Sequence, residues 1–559
     1  MNERSTLLIA LARIGDLVQC FPAISDLSRK ADDNPVDLMV QNELVPVAKL
    51  HPRAGRIISF DGDAFISALR SEKGWVTEGL SRADKVLKKI EELNPELIVN
   101  LTHTALSGVI CGLIKNATVR GRSCHLHTGS ILNGDWARYF FTLLQSRSCN
   151  AVNIVDINRE ISRGIRGPVD LPQIPGDALD FARQILGDLR GKHKIALAIG
   201  AHHPLRRWPP ERWARTAGLI VKRYDADFVL LGGSMERELA ATIEKTLPDR
   251  CLNLCGVTDP VQLFAVIEQC DLLIGHDSGP LHIAAALGKP CLGIYLAMAS
   301  TWETAPYREG AVSFEPDLPC HPCREEGGCT EPRCHETISA EAVADASSRL
   351  LAGEQPANYP GCIVRISTFN GSGRLTLAGD RRRGDELRRF WGGLLGRILD
   401  SGTGIEAAES SSRDNDGFLP DIARKLLLLT DAVLRTIEKT IAIAQDPAVR
   451  LSRVGTAGSA FIDPLARELP TLIASYPEFR PLFELYRMDC LGSDEVSYGS
   501  NKEKVLAAQD KLLRRIVAIR RACQAVRLSR VNQTQKIAIM KRQDNHLPST
   551  ERRATPLCS

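Results

Sequence analysis

No apolar run in this 559-residue chain approaches the roughly 20 residues that cross a bilayer as a helix, so no membrane-spanning helix is expected. The opening MNERSTLLIALARIGD is apolar only briefly, because Arg13 and Asp16 interrupt it before a signal-peptide core is complete. A cytoplasmic protein is the expectation. The chain also lacks a charge of one sign: 71 Lys and Arg stand against 67 Asp and Glu, a formal net charge of +4. The global balance therefore selects no polyanionic partner. It lacks an internal repeat of fixed length as well, and at this length it exceeds one ordinary core, so two or three domains are expected.

What is present in the first 350 residues is an alternation. STLLIALA, VDLMV, ELIVNL, KIALAIG, DFVLLGG, CDLLIGHD and PCLGIYL read as strands apolar on both faces, as in buried parallel sheets. Amphipathic stretches such as PAISDLSRKA and ERWARTAGLIVKRY lie between them. This is the rhythm of doubly wound α/β domains. The strand pattern restarts at KHKIALAIG after the Pro/Gly-rich GPVDLPQIPGDA (167–178). The expected organisation is thus a Rossmann-like domain over 1–170, a second over 171–351 with a Cys-rich segment at 318–336, and a linker with a mainly α-helical region over 352–559. A cleft between the two halves is the expected ligand site, since such sheets bind ligands at the carboxyl ends of their strands.

The chemistry-bearing residues gather at those ends. In LLIALARIGDLVQC a strand turns into a helix at Gly15 and Asp16. A carboxylate there either accepts a proton from an incoming hydroxyl or caps the helix. In GAHHPLRRWPPERW, Gly200 and Ala201 leave room for a ligand, and Arg206 can meet phosphate oxygens. Trp208 reads as packing, and His202 and His203 as solvated. In LLGGSMERE, Glu236 or Glu238 either accepts from ribose hydroxyls or favours a helix dipole. The densest stretch is HDSGPLHIAAALGKP (276–290). Ser278, Gly279 and Pro280 form a turn whose following N–H groups suit a diphosphate. Asp277 should face sugar hydroxyls, and His282 can donate to a phosphate or sugar oxygen. Together these favour a nucleotide-sugar site.

In their order, ARIGD, GAHHPLRRWP, LLGGSMERE and NLCGVTDPVQLFAVIEQCDLLIGHDSGPLHIAAALGKP resemble the ADP-heptose:lipopolysaccharide heptosyltransferases, glycosyltransferase family 9, over roughly residues 5–345. The resemblance implies the GT-B fold and an inverting, metal-independent transfer of heptose from ADP-heptose to a hydroxyl of a lipopolysaccharide core or related glycan acceptor. It implies Asp16 as catalytic base. Arg206 falls where the family usually has a phosphate-binding Lys, and Gly15, Gly200, Ala201, Glu236, Glu238, Asp277, Ser278, Gly279 and His282 fall on the donor side. The chain departs from the family after GKPCLGIY, where LAMASTW replaces a small polar loop, and at Arg206. Two other readings stay open: a non-catalytic sugar-nucleotide or glycan-binding protein on the same scaffold, and a GT-B enzyme using another nucleotide sugar.

Sixteen cysteines include four in LPCHPCREEGGCTEPRCHE: Cys320, Cys323, Cys329 and Cys334. Their C-x2-C-x5-C-x4-C spacing either folds around one structural ion, zinc or iron, or leaves reduced thiols in a loop. Similar Cys-rich segments in autotransporter relatives of the family would imply iron. Cys20, Cys111, Cys270 and Cys291 sit among apolar or small residues as buried thiols do. From Lys511 to Arg553, twelve Lys and Arg face two acids, Asp544 and Glu551. Such a helix either docks on an anionic inner-membrane surface or packs on the core with a solvated basic face. With no aromatic platform beside the charge, no nucleic acid is expected.

Overall fold

The computed structural model describes residues 5–388, apart from 71–78, 126–128, 148–149, 248, 324–328, 381–384 and 386–387. The basic segment 511–553 and the helical region beyond residue 388 lie outside the described residues. Among the described residues, no helix is long and apolar enough to cross a membrane.

The first sheet holds β1 (Thr6–Ala10), β2 (Val36–Gln41), β3 (Ala54–Phe60), β4 (Leu97–Asn100), β5 (Thr118–His125) and β6 (Gly129–Asn133), in the order β3-β2-β1-β4-β5-β6. Its strands are parallel except β6, which runs antiparallel to β5. β1 forms because TLLIA is apolar on both faces, and Leu7, Leu8 and Ile9 are wholly buried.

The second sheet repeats the winding. It holds β7 (His193–Ala198), β8 (Ala226–Leu231), β9 (Cys251–Asn253), β10 (Leu272–His276), β11 (Cys291–Ile294), β12 (Val312–Pro316), β13 (Cys362–Phe369) and β14 (Leu375–Gly379). Their order is β14-β13-β12-β11-β10-β7-β8-β9. Both sheets belong to one compact unit. The connection between them, 163–175, carries neither helix nor strand.

The stretch after residue 351 differs from the expected linker. β13 and β14 add two antiparallel strands to the second sheet beside β12. CIVRISTF alternates only partly and carries an arginine, which disguises it as solvated chain. The Arg365 side chain is in fact wholly buried.

Five helices matter for the site: α1 (Ile14–Lys30), α2 (Asp135–Ser146), α3 (Ile154–Ser162), α4 (Gly279–Ala286) and the single turn α5 (Thr301–Thr304). α1 follows β1 and α4 follows β10, so both begin at carboxyl ends of strands. In each sheet the winding reverses beside the first strand, between β1 and β4 and between β7 and β10. These reversals open the crevices where doubly wound sheets bind ligands.

Candidate functional site

The two helix starts meet. Gly15 is buried against α4: a Cβ on it would lie 3.2 Å from the Gly279 Cα and 3.4 Å from the His282 Cδ2. A Cβ on Gly279 would lie 2.8 Å from Ile14 Cγ2. Glycine at both positions is what lets the halves approach this closely. Gly15 therefore serves the contact between the halves, where a donor ligand was expected to need it.

Asp16, next along α1, is exposed. Its Oδ2 accepts the Arg13 N–H at 3.1 Å, and among the described residues it pairs with no cation. It thus caps the helix and presents a carboxylate to solvent at the end of β1, so the two readings of its role are compatible.

Across the second crevice, Arg206 and Asp277 form an ion pair. Nη2 of Arg206 donates to Asp277 Oδ2 at 2.6 Å and also to the Asp277 backbone carbonyl. His282 Nε2 lies 3.3 Å from Asp277 Oδ1, and the Gln19 side-chain amide of α1 lies 3.3 Å from the same ring nitrogen. Burial works to raise the Asp277 pKa, but hydrogen bonding from His282, the Arg206 charge and a hydrogen bond from Thr304 outweigh it and hold the carboxyl below its ordinary value. Asp277 is a locked anion, facing the cation and imidazole that sequence reasoning aimed at phosphate. Ser278 is the N-cap position of α4 with its hydroxyl turned to the His276 carbonyl, 3.3 Å away, which leaves the opening N–H groups of α4 without a side-chain cap.

His276 is a residue that sequence reasoning missed. Wholly buried, it accepts the Trp208 N–H at Nε2 (2.8 Å), while Nδ1 meets the Gly200 carbonyl at 3.2 Å. Burial, with Arg206 and other nearby cations adding to it, lowers its pKa to about 3 against the opposing Gly200 bond, so the ring is neutral. It pins the 200–208 loop to β10 and so sets Arg206 against Asp277. Its place at the start of HDSGPLH was the available signal. Trp208 is wholly buried packing, as expected, and His203 Nδ1 accepts the Leu205 N–H at 3.2 Å.

The expected ribose acceptors are engaged differently. Glu236 is buried, accepts the Gly233 N–H at 2.9 Å and pairs with Arg207 at 3.3 Å. Gly200 makes room for that side chain, since a Cβ there would lie 3.1 Å from Glu236 Cδ. Ala201 is buried and its carbonyl accepts Arg207 Nε at 2.8 Å. Glu238 is exposed in the first turn of the following helix.

The four clustered thiols run from surface to core: Cys320 and Cys329 are exposed, Cys323 is half-buried and Cys334 is buried. Burial first, then the neighbouring cysteines, raise the Cys323 and Cys334 thiols. Among the described residues, no group of three or more His, Cys, Asp or Glu side chains is placed to hold a metal ion. Cys20, Cys111, Cys270 and Cys291 are buried as expected, the last three each pushed up to about 12 chiefly by burial.

Residues 172–334, which span β7 to β12 and the whole Arg206–Asp277–His282 cluster, match the family model for glycosyltransferase family 9 (heptosyltransferase). Over that stretch the chain is similar to glycosyltransferase family 9. It is a glycosyltransferase enzyme. The chain is 23% identical over 359 residues to lipopolysaccharide heptosyltransferase 3 of Escherichia coli (strain K12), covering 61% of the chain and 96% of that protein. It is 35% identical over 134 residues to lipooligosaccharide heptosyltransferase 2 of Haemophilus ducreyi, covering 22% of the chain and only 38% of that relative's length. Among solved structures, the glycosyl transferase family 9 from Veillonella parvula superposes with a TM-score of 0.51 at 19% identity, covering 63% of the chain and 99% of that structure. The chain accordingly has the GT-B architecture of two facing doubly wound domains.

Proposed function

We propose that this enzyme transfers heptose from ADP-heptose to a hydroxyl of a lipopolysaccharide core acceptor, with inversion at the anomeric carbon. The single observation that carries the reading is the pair of facing helix starts, an exposed carboxylate on α1 opposite the Arg206–Asp277–His282 cluster at α4. The relatives named heptosyltransferases support the sugar.

In the proposed reaction the acceptor oxygen attacks the anomeric carbon from the face opposite the diphosphate. Its proton passes to Asp16, the bond from the anomeric carbon to the diphosphate oxygen breaks, and ADP leaves with the electron pair. Charge grows on the diphosphate as that bond opens. The first N–H groups of α4, His282 and Arg206 meet it there, and they stabilise the transition state more than the ground state. These groups suffice without a divalent cation, so chelation of metals leaves the transfer rate unchanged under this reading. Under this reading the enzyme acts at the cytoplasmic side.

One observation favours a second reading, transfer from another nucleotide sugar: the chain has LAMASTW after GKPCLGIY, where the resemblance implies a small polar loop. A binding panel of ADP-heptose, ADP-glucose, UDP-glucose and GDP-mannose with wild type and Asp277→Asn tests both. Selective ADP-heptose binding, weakened in the variant, supports heptose. Preference for another sugar replaces the donor, and binding of none returns the chain to the non-catalytic alternative.

A further inference from the structure

The loop after β11 is held from several sides. Ala297 adopts φ +53°, a left-handed conformation that a non-glycine residue keeps only when its surroundings enforce it. Its carbonyl accepts the Cys323 N–H at 2.9 Å. Arg147, at the end of α2, pairs with Glu303 at 2.6 Å and donates to the Met298 carbonyl at 2.8 Å. Thr301 bonds Glu315 of β12 through its N–H (3.1 Å) and hydroxyl (2.7 Å). α5 ends at Thr304, whose hydroxyl donates to the Ser300 carbonyl at 3.3 Å, whose carbonyl accepts the Tyr295 hydroxyl at 2.7 Å, and whose presence beside Asp277 helps hold that carboxyl charged.

The remaining support comes from beyond the family match. Trp302, at the centre of α5 and 5% exposed, donates its indole N–H to Asp385 Oδ1 at 3.2 Å. Asp385 is 2% exposed, and its other oxygen accepts Arg365 Nη2 at 2.5 Å. The Arg365 guanidinium lies 5.6 Å from the centre of the Trp302 ring, and Arg388 lies 6.0 Å from it. Arg365 Nη2 is also 3.7 Å from Glu315 Oε2. Two carboxylates and one guanidinium, all buried, thus close around the tryptophan that LAMASTW introduces. A charge group this deep is kept only if its members hold one another in place, and here the indole N–H is one of the holds.

We propose that Asp385 is a positioning residue for the donor pocket: through Trp302 it fixes α5, so that Thr304 meets Asp277 and the pocket wall is preformed. The inference rests on the reading of the α4 start as the donor site. It makes the chain after the second sheet part of the site's support, while the substrate is touched by other residues.

The test uses the full-length protein, with ADP as ligand and amide hydrogen exchange as a second readout. Asp385→Ala raises exchange at residues 301–304 about tenfold and weakens ADP binding about five- to tenfold, with kcat within about twofold of wild type. Trp302→Phe keeps the ring and loses the N–H; it moves both readouts the same way by about threefold. Asp385→Asn keeps an acceptor for the indole and restores most of the ADP affinity. A lower melting temperature for Asp385→Ala with wild-type exchange at 301–304 and wild-type ADP affinity would overturn the inference. If Asp385→Ala does not fold, Trp302→Phe decides alone. If wild type binds no ADP, the donor reading falls, and exchange at 301–304 still decides whether Asp385 positions the loop.

Discussion

The starts of α1 and α4 are built alike and behave oppositely. Each follows the carboxyl end of a strand beside a reversal of winding, each has a glycine within its first two residues that packs against the other helix start, and each has an aspartate within a few residues. Asp16 is exposed, with a backbone N–H as its partner. Asp277 is enclosed by Arg206, His282 and Thr304. A carboxylate open to solvent can exchange a proton with a substrate, whereas one locked among cations keeps its charge and orders its neighbours. Surroundings, more than residue type or local fold, separate the two roles.

The largest expected effect tests that separation directly. Asp16→Asn retains an oxygen for the Arg13 N–H, so the helix start survives, while kcat falls on the order of 10²–10⁴ with donor affinity unchanged. Steady-state transfer rates beside donor titration check it; an equal loss in affinity would put Asp16 on the donor side with Asp277. The next effect concerns the glycine contact. Gly15→Ala places a methyl against the α4 backbone and costs about 1–3 kcal/mol in chemical denaturation, and donor binding weakens because His282 is displaced. Unchanged stability would show that the halves meet more loosely than the comparison requires.

The smallest effect is spread over pH. His276 is held neutral at about 3, and His51, wholly enclosed beside Ser25 in the first half, at about 4, burial being the leading cause in both. Both values lie below the ordinary 6.5 of an unfolded histidine, so the unfolded chain takes up these protons first as pH drops. Stability is then complete above about pH 6.5 and declines by up to about 1.4 kcal/mol per pH unit for each ring as pH falls toward 4 and 3. Melting temperatures from pH 7.5 to 4.5 check this, and His276→Gln, which retains an acceptor for the Trp208 N–H, flattens the slope by one ring's share.

The strands legible in the sequence were those apolar on both faces: β1, β2, β4, β7, β8, β10 and β11. β5 (TVRGRSCH), β12 (VSFEP) and β13 (CIVRISTF) were not, because each carries polar or charged residues that only the folded chain accounts for. Glu315 and Arg365 look solvated in sequence and are buried beside partners up to 50 residues away, each other among them. The site divides the same way. Asp16, Arg206, Asp277 and His282 stand in recognisable strand-to-helix turns. Gln19 acquires its meaning from His282, 263 residues on, and His276 from Trp208, 68 residues back. No local pattern announces a contact between segments that far apart.

The antiparallel pair β13–β14 also determines where the catalytic body can be cut. A fragment ending with the family match at residue 334, or at residue 351, would strip β12 of its neighbour and turn five fully buried residues, Val312–Pro316, into a bare sheet edge. Unpaired edges of that kind recruit strands from other molecules. Recombinant pieces that stop short of Gly379 should therefore clump, and the smallest well-behaved piece should carry the chain through Arg388.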